Sequence, residues 1–249
     1  MLRTITILGV SITNEREEIV LEYLLDRLRK PHEKTFIVTP NPEMLVYASK
    51  HPEYKSRLNH AGIALPDGVG LVFAAAFKAI SLKERITGVD FIEKLCMSTR
   101  EKPLSMGFLG GKGGVAEEAF KCLKKKYPWI NVAFVGEEWN ESGFLVKHDD
   151  TKGHGTIAID ILFVAYGIPK QEEWIYGNLP HLPVKAAMGV GGAFDFLSGS
   201  VPRAPMILRI LGMEWLFRLV IQPWRWRRQL ALVEFIGLVF KEKFTSRKS

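Results

Sequence analysis

The stretch DILFVAYGIPKQEEW (160–174) decides the fold. A run of β-branched and aromatic residues ends at Gly167, and a proline-bearing polar cluster opens a charged segment behind it. Working outward, the same grammar recurs in TFIVT (35–39), GIAL (62–65), LSMGFLG (104–110), NVAFVG (131–136) and VKAAMGV (184–190). Helix-like stretches lie between them, at 42–59, 88–99 and 115–127. Alternation of this kind predicts an α/β fold: a Rossmann-like, largely parallel sheet with helices on both faces. The polar, glycine-containing segment EWNESGFLVKHDDTKGHGT (138–156) reads as a loop with at most a short helix. After Val201 the pattern turns apolar, basic and helix-like. Residues 1–202 therefore read as an α/β body and 203–249 as a C-terminal helical appendage.

The 249 residues, 47% hydrophobic and 24% charged, suit one α/β domain with a substantial core. From Arg203 to Ser249, ten Lys/Arg face three Glu, so the tail carries the entire formal net charge of +7. A charge-balanced body with a cationic, Trp-rich end points to a polyanion: nucleic acid, a phosphorylated ligand or an anionic membrane surface. Cys96 and Cys122 have neither metal-ligand nor disulfide spacing and read as buried thiols in a reducing compartment. The opening MLRTITILGVSITNEREE has too short an apolar run for a signal peptide. LALVEFIGLVF (230–240), short and interrupted by Glu234, falls below the ~20 residues of a membrane span.

The segments just past the strands carry the function. TFIVT runs into PNPE, GIAL into PDGVG, LSMGFLG into GKGG, DILFVAYG into IPKQEEW, and VKAAMGV into GGAFDF. Ligands of open α/β sheets bind at the carboxyl ends of strands, so these clusters predict one composite site along one edge. Gly110 and Gly111 open a turn in which glycine admits a phosphate and a helix N-terminus supplies N–H groups. Gly111, Gly113 and Ala116 also fit G-x-G-x-x-A, with Glu137 placed for a ribose; a glycine turn without ligand is the plain alternative. Asp67 is either a helix cap or a general base, which needs only reach to a hydroxyl and a raised pKa. Thr39, Asn41 and Gln171 would share its edge, and such neutral donors and acceptors suit a sugar. Arg85 reads as a solvated charge or a site cation, and Asp195 as a helix cap or an acceptor for a nucleobase or ribose.

Other patterns are missing. The six histidines form no H-x-x-x-H or H-x-H pair, there is no D-x-D, and no G-x-S-x-G elbow occurs. A departing diphosphate would then be met by protein cations, and no metal or cofactor is expected. In the tail, Glu214, Arg218, Gln222 and Arg225 keep helical spacings, Arg225 and Arg228 share a face, and Pro223 divides the run into two helices. Packing of an apolar helix face explains the leucines. Trp224, Trp226 and Arg227 beside them are what an interfacial helix presents to a membrane.

In order and spacing, TPNPEM, PDGVG, ERITGVDF, GIPKQEEWI, GVGGAFDFLSG, RAP and EWLFRL…PWRWRRQ resemble the WecG/TagA/CpsF glycosyltransferase family, from Ile7 to about Arg228. The resemblance implies a metal-independent, inverting transfer from a UDP-sugar, best matched by N-acetylmannosamine, to a polyprenyl-diphosphate-linked sugar in cell-surface polysaccharide or teichoic acid synthesis. It implies a cytoplasmic enzyme, peripheral on the inner face of the membrane. It also gives Asp67 as the base, Thr39, Asn41, Arg85 and Gln171 as active-site polar residues, and Asp195 near the uridine. Arg218, Arg225 and Arg228 become appendage arginines that steady the diphosphate. Pro42 departs from the small residue common after the asparagine. Gln222 departs from an acidic residue common before the proline, which removes an ion pair.

Two other classes compete. An NAD(P)-dependent oxidoreductase would use Gly111 to Ala116 but lacks a hydride-transfer site and leaves the tail without a role. A non-enzymatic membrane- or nucleic-acid-binding protein explains the tail but not the strand-end clusters. The sugar-transferase reading dispenses with a nucleic-acid partner. Apolar tail positions serve either a membrane or a neighbouring subunit, so a homo-oligomer stays open.

Overall fold

The computed structural model describes residues 1–30, 33–140, 142 and 158–245. A hairpin comes first, β1 (Thr4–Ile7) against β2 (Val10–Thr13), turning on Leu8 and Gly9 at φ 50° and 77°. Helix α1 (Glu17–Arg29) is next, then β3 (Thr35–Val38), α2 (Pro42–Lys50), α3 (Pro52–Asn59), β4 (Ile63–Ala64) and α4 (Val69–Phe77). Beyond them come α5 (Gly88–Ser98), β5 (Ser105–Gly110), α6 (Val115–Lys126) and β6 (Asn131–Gly136). The chain continues through β7 (Ile159–Ala165), α7 (Lys170–Asn178), β8 (Val184–Gly189) and α8 (Ala193–Leu197). It ends in α9 (Met206–Ile210), α10 (Glu214–Ile221) and α11 (Trp226–Thr245).

The six strands expected from sequence form one parallel sheet in the order β4-β3-β8-β7-β5-β6. Both faces are covered. Along β7, Leu162 and Val164 enter the core on one side while Ile161 and Phe163 enter the core on the other, as a period of two requires. Helices α2, α3, α4 and α7 bury their apolar residues on the first side; α1, α5, α6 and α8 bury theirs on the second.

Three departures from the sequence reading have physical causes. The stretch 42–59 is two helices: Pro52 forces His51 into extended backbone (φ −127°, ψ 91°) and cannot donate into a continuing helix. The hairpin strands TITI and VSIT are parted only by Leu8 and Gly9, and no Gly/Pro-rich cluster follows them. Helix α4, VGLVFAAAF, is apolar on every side and gives no helical period. Most of 138–156 lies outside the described residues. Among those described within it, Trp139 stacks on Phe134 at 4.6 Å between ring centroids.

The basic tail divides as Pro223 predicts: α10 ends at Ile221, a 3₁₀ turn spans Pro223–Arg225, and α11 starts at Trp226. Helix α11 packs on α2 and α4 and sends Phe235 and Val239, both fully buried, into the first core. Among the described residues no helix is long and apolar enough to cross a membrane.

Candidate active site

The site forms where neighbouring strands part company. β3 runs into α2 on one face of the sheet, while β8 beside it runs into α8 on the other. Such a switch opens a crevice at the strands' carboxyl ends. Here it is a cleft of about 330 Å³. Its floor brings together Thr39 and Asn41 after β3, Asp67 after β4, Gly167 and Gln171 after β7, and Val190 to Ala193 after β8. Arg85 and Thr87 form one wall, and Trp215, Arg218, Arg225, Arg228 and Gln229 come down from the α10–α11 region.

Asp67 is set by backbone. Its N–H donates to the Pro40 carbonyl at 2.9 Å, and Ile86 N–H donates to Pro66 at 2.9 Å. Gly68, at φ 94°, turns the chain into α4, whose first-turn N–H groups donate no hydrogen bond to the Asp67 side chain. The capping alternative is thereby removed. Instead the Asp67 carboxylate accepts from Gly88 N–H, the first residue of α5. Burial pushes its carboxyl up to about 6; Arg85 opposes this, and Glu214 and Asp90 add to it.

The neutral residues have partners that restrict what each offers. Thr39 donates its hydroxyl to the Gly189 carbonyl at 3.1 Å, leaving oxygen lone pairs for a ligand. Asn41 Oδ1 caps α2 by accepting from Met44 N–H at 3.0 Å, leaving its amide nitrogen. Pro42 sits at the first turn of α2, where a proline is favoured; a Cβ on Gly70 would lie 2.4 Å from its ring. Gln171 is a clamp. Its Oε1 accepts from Gly167 N–H at 3.1 Å and Gly191 N–H at 2.9 Å, tying the loops after β7 and β8. Its Nε2 donates to Glu172 Oε1 at 2.6 Å, and Tyr54 donates to Glu172 Oε2 at 3.0 Å. Glu172 is fully buried, and burial lifts its carboxyl to about 7.

The roof is cationic. Arg218 pairs with Asp195 at 2.5 Å, donates Nε to Gln222 Oε1 at 3.1 Å and lies over the Phe196 ring. Gly192 lets it approach, since a Cβ there would meet its guanidinium at 2.9 Å. Arg225 donates to the same Gln222 oxygen at 3.5 Å. Burial, with Arg218 and Arg228 nearby, lowers its pKa to about 10. Arg228 grips Glu43, with Nε at 2.9 and 3.0 Å from the two carboxylate oxygens. Gln222, which offers no ion pair, thus serves as a neutral acceptor shared by two arginines.

Not every expected residue lines the cleft. Asp195 is taken up by Arg218 and caps no helix. Gly110 and Gly111 adopt φ 93° and 76° at the end of β5, one strand beyond the cleft. Beside them Glu137 accepts from Gly114 N–H at 3.1 Å, so it serves the turn itself. Cys96 is buried as expected, whereas Cys122 is exposed. Trp224, Trp226 and Arg227 face outward, with Arg227 5.7 Å above the Trp226 ring. Glu43, Thr87 and Trp215 join the cleft without being legible as site residues in sequence. Each lies inside a quoted motif (TPNPEM, ERITGVDF and EWLFRL), so position beside a motif residue is the available signal.

Over residues 5–249 the chain matches the model of the Glycosyl transferase WecG/TagA/CpsF family. It belongs to this family. The N-acetylglucosaminyldiphosphoundecaprenol N-acetyl-beta-D-mannosaminyltransferase of Bacillus subtilis (strain 168) is 31% identical over 243 residues, covering 97% of this chain and 93% of that one. The enzyme of the same name from Bacillus spizizenii (strain ATCC 23059 / NRRL B-14472 / W23) is 34% identical over 216 residues, 86% of this chain and 81% of the relative. The Staphylococcus aureus (strain MRSA252) enzyme is 32% identical, again over 216 residues, 86% and 83%. The chain is therefore a glycosyltransferase of the WecG/TagA/CpsF type, and the oxidoreductase and non-enzymatic readings fall away.

Proposed function

We propose that this WecG/TagA/CpsF enzyme moves N-acetylmannosamine from a UDP-linked donor to a polyprenyl-diphosphate-linked N-acetylglucosamine. The observation that carries the reading is Asp67: a carboxyl held near 6, at the floor of a cleft whose roof is arginine. Asp67 takes the proton of the acceptor hydroxyl as that oxygen attacks the anomeric carbon. The bond to the donor diphosphate breaks on the opposite side, the anomeric centre inverts, and UDP leaves with the electron pair. A base poised near the working pH suits this step. Arg218, Arg225 and Arg228 meet the charge that develops on the diphosphate, in a site where burial strengthens each interaction. Thr39, Asn41 and Arg85 hold the sugars, and Gln171 keeps the two loops at the width they need.

The reading includes a membrane surface, because the acceptor is a lipid. Met206, Ile207 and Ile210 of α9 are exposed, as are Trp224 and Trp226, with Arg227 beside them. Exposed apolar side chains flanked by tryptophan and arginine match the headgroup boundary of an anionic leaflet. Docking there would set the arginine-bearing helices beside the lipid diphosphate and keep water from the donor until the acceptor arrives.

The test is UDP release from UDP-N-acetylmannosamine, with a short-chain prenyl-diphosphate-N-acetylglucosamine as acceptor and EDTA present. Acceptor-dependent turnover that persists in EDTA is the expected result. Failure with this donor and with other UDP-sugars, against any lipid-linked acceptor, would discard the reading.

A further inference from the structure

The cleft arginines are not held alike. Arg218 is fixed from three sides, by Asp195, Gln222 and the Phe196 ring, and its side chain is 13% exposed. Arg228 is 42% exposed, and its guanidinium contacts among the described residues all go to one carboxylate, Glu43, 34% exposed at the cleft mouth. Glu43 grips the guanidinium with both oxygens, the geometry by which arginine also takes a phosphate. Meanwhile Arg225, squeezed between Arg218 and Arg228, has only a neutral amide oxygen as its described partner. Among the described residues Arg218 and Arg228 each have a carboxylate partner and Arg225 has none in hydrogen-bond reach, and the partner of Arg228 is a displaceable anion.

We propose that Glu43 is a stand-in for a substrate diphosphate. It holds Arg228 across the mouth of the cleft and gives it up when the diphosphate arrives, so Glu43 sets the affinity for that group by competing with it. This rests on the diphosphate chemistry proposed above. The exchange is a side-chain swing, not an opening of the roof. A second ion pair, Lys50 to Glu234 at 2.7 Å, also ties α2 to α11 and stays in place. The released carboxylate keeps a favourable position, because Glu43 lies in the first turn of α2, where the helix dipole favours negative charge. The diphosphate is either that of UDP or that of the lipid-linked acceptor.

The experiment is calorimetric titration of wild type and Glu43→Gln with UDP, with a short-chain prenyl-diphosphate-N-acetylglucosamine, and with uridine. An exposed ion pair of this kind contributes little, so its removal should tighten diphosphate binding about two- to fivefold. The titrant that tightens identifies the source, and uridine should bind the two proteins alike. Arg228→Gln should weaken the same titrant about tenfold and cancel the gain when combined with Glu43→Gln. Glu43→Ala, checked by thermal melting, should repeat the gain. Diphosphate binding that is unchanged or weaker in both Glu43 variants would overturn the stand-in and leave the transferase reading intact. Binding of neither diphosphate by the wild type would overturn both.

Discussion

Replacing Asp67 by asparagine separates catalysis from stability, because the same burial that suits the carboxyl for proton transfer penalises the fold. The side chain keeps its shape, and an amide oxygen can still accept from Gly88 N–H. The proton-accepting role proposed for Asp67 is gone. The loss of a positioned general base is worth about 10²- to 10⁴-fold in rate. The wild type should gain kcat/KM as pH rises through about 6, where Asp67 ionises. That acid limb should vanish from the residual activity of Asp67→Asn. Stability moves the other way. A carboxyl that titrates near 6 in the folded chain, against an ordinary 3.8, binds its proton more tightly folded than unfolded. Its contribution is intact at low pH and is lost as pH rises from about 4 to 6, at about 1.4 kcal/mol per unit of pH. Fully ionised, Asp67 thus costs the fold about 3 kcal/mol.

The paired assay is UDP release across pH alongside thermal melting across pH. Asp67→Asn should be nearly inactive yet melt higher than the wild type at mildly alkaline pH, with the difference closing toward about pH 4. Two results would refute the reasoning. One is a variant within tenfold of wild-type turnover whose acid limb survives. The other is a variant that melts lower than the wild type at alkaline pH, showing that the ionised carboxylate stabilises the fold.

Other positions give further expectations. Tyr54→Phe removes the donor 3.0 Å from buried Glu172 and should cost about 1–3 kcal/mol of stability. The loss should grow as pH rises through about 7, where Glu172 becomes an anion in need of that donor; melting curves on either side of neutrality check this. Trp224→Ser with Trp226→Ser should abolish co-sedimentation with anionic vesicles while turnover on a water-soluble acceptor persists. Arg227→Gln alone should weaken vesicle binding about fivefold, and only when the lipid is anionic, in line with about 1 kcal/mol per basic residue.

The sheet is legible because most of its strands announce themselves twice, by a short apolar run and by the Gly/Pro cluster that stops it. Elements with a weaker pattern escape notice. Helix α4 has no polar face, and the hairpin strands are followed by no Gly/Pro-rich cluster. The cleft's polar floor is legible for a related reason. Thr39, Asn41, Asp67 and Gln171 sit shortly after strands, and parallel pairing carries such residues to one edge whatever lies between them. Local position cannot show how each is engaged. Asn41 and Gln171 each look like free amides in sequence, yet one caps a helix and the other clamps two loops, since their partners lie across turns and strand ends. Asp195 shows the limit most plainly. Its neighbours GVGGAF-F suggest a turn facing a ligand, and only the return of α10 across α8 reveals that Arg218 claims it.

The same distinction bears on why the site is costly to the fold. A core built from sequence period alone would satisfy every group it buries. Two exceptions lie at the cleft: a carboxyl raised by burial, and an arginine lowered by burial and by two like charges. Each is a group that a substrate would relieve, the carboxyl by receiving a hydroxyl proton and the arginines by receiving a diphosphate. Binding should therefore stabilise the protein most where its charges are least compensated. UDP should raise the melting midpoint of the wild type, by an amount that grows with its concentration relative to Kd. With Arg225→Gln in place of the least compensated cation, the protein without UDP should melt higher than the wild type and gain less when UDP is added. A variant that melts lower without UDP would show that Arg225 is held by the fold and is not held in reserve for a ligand.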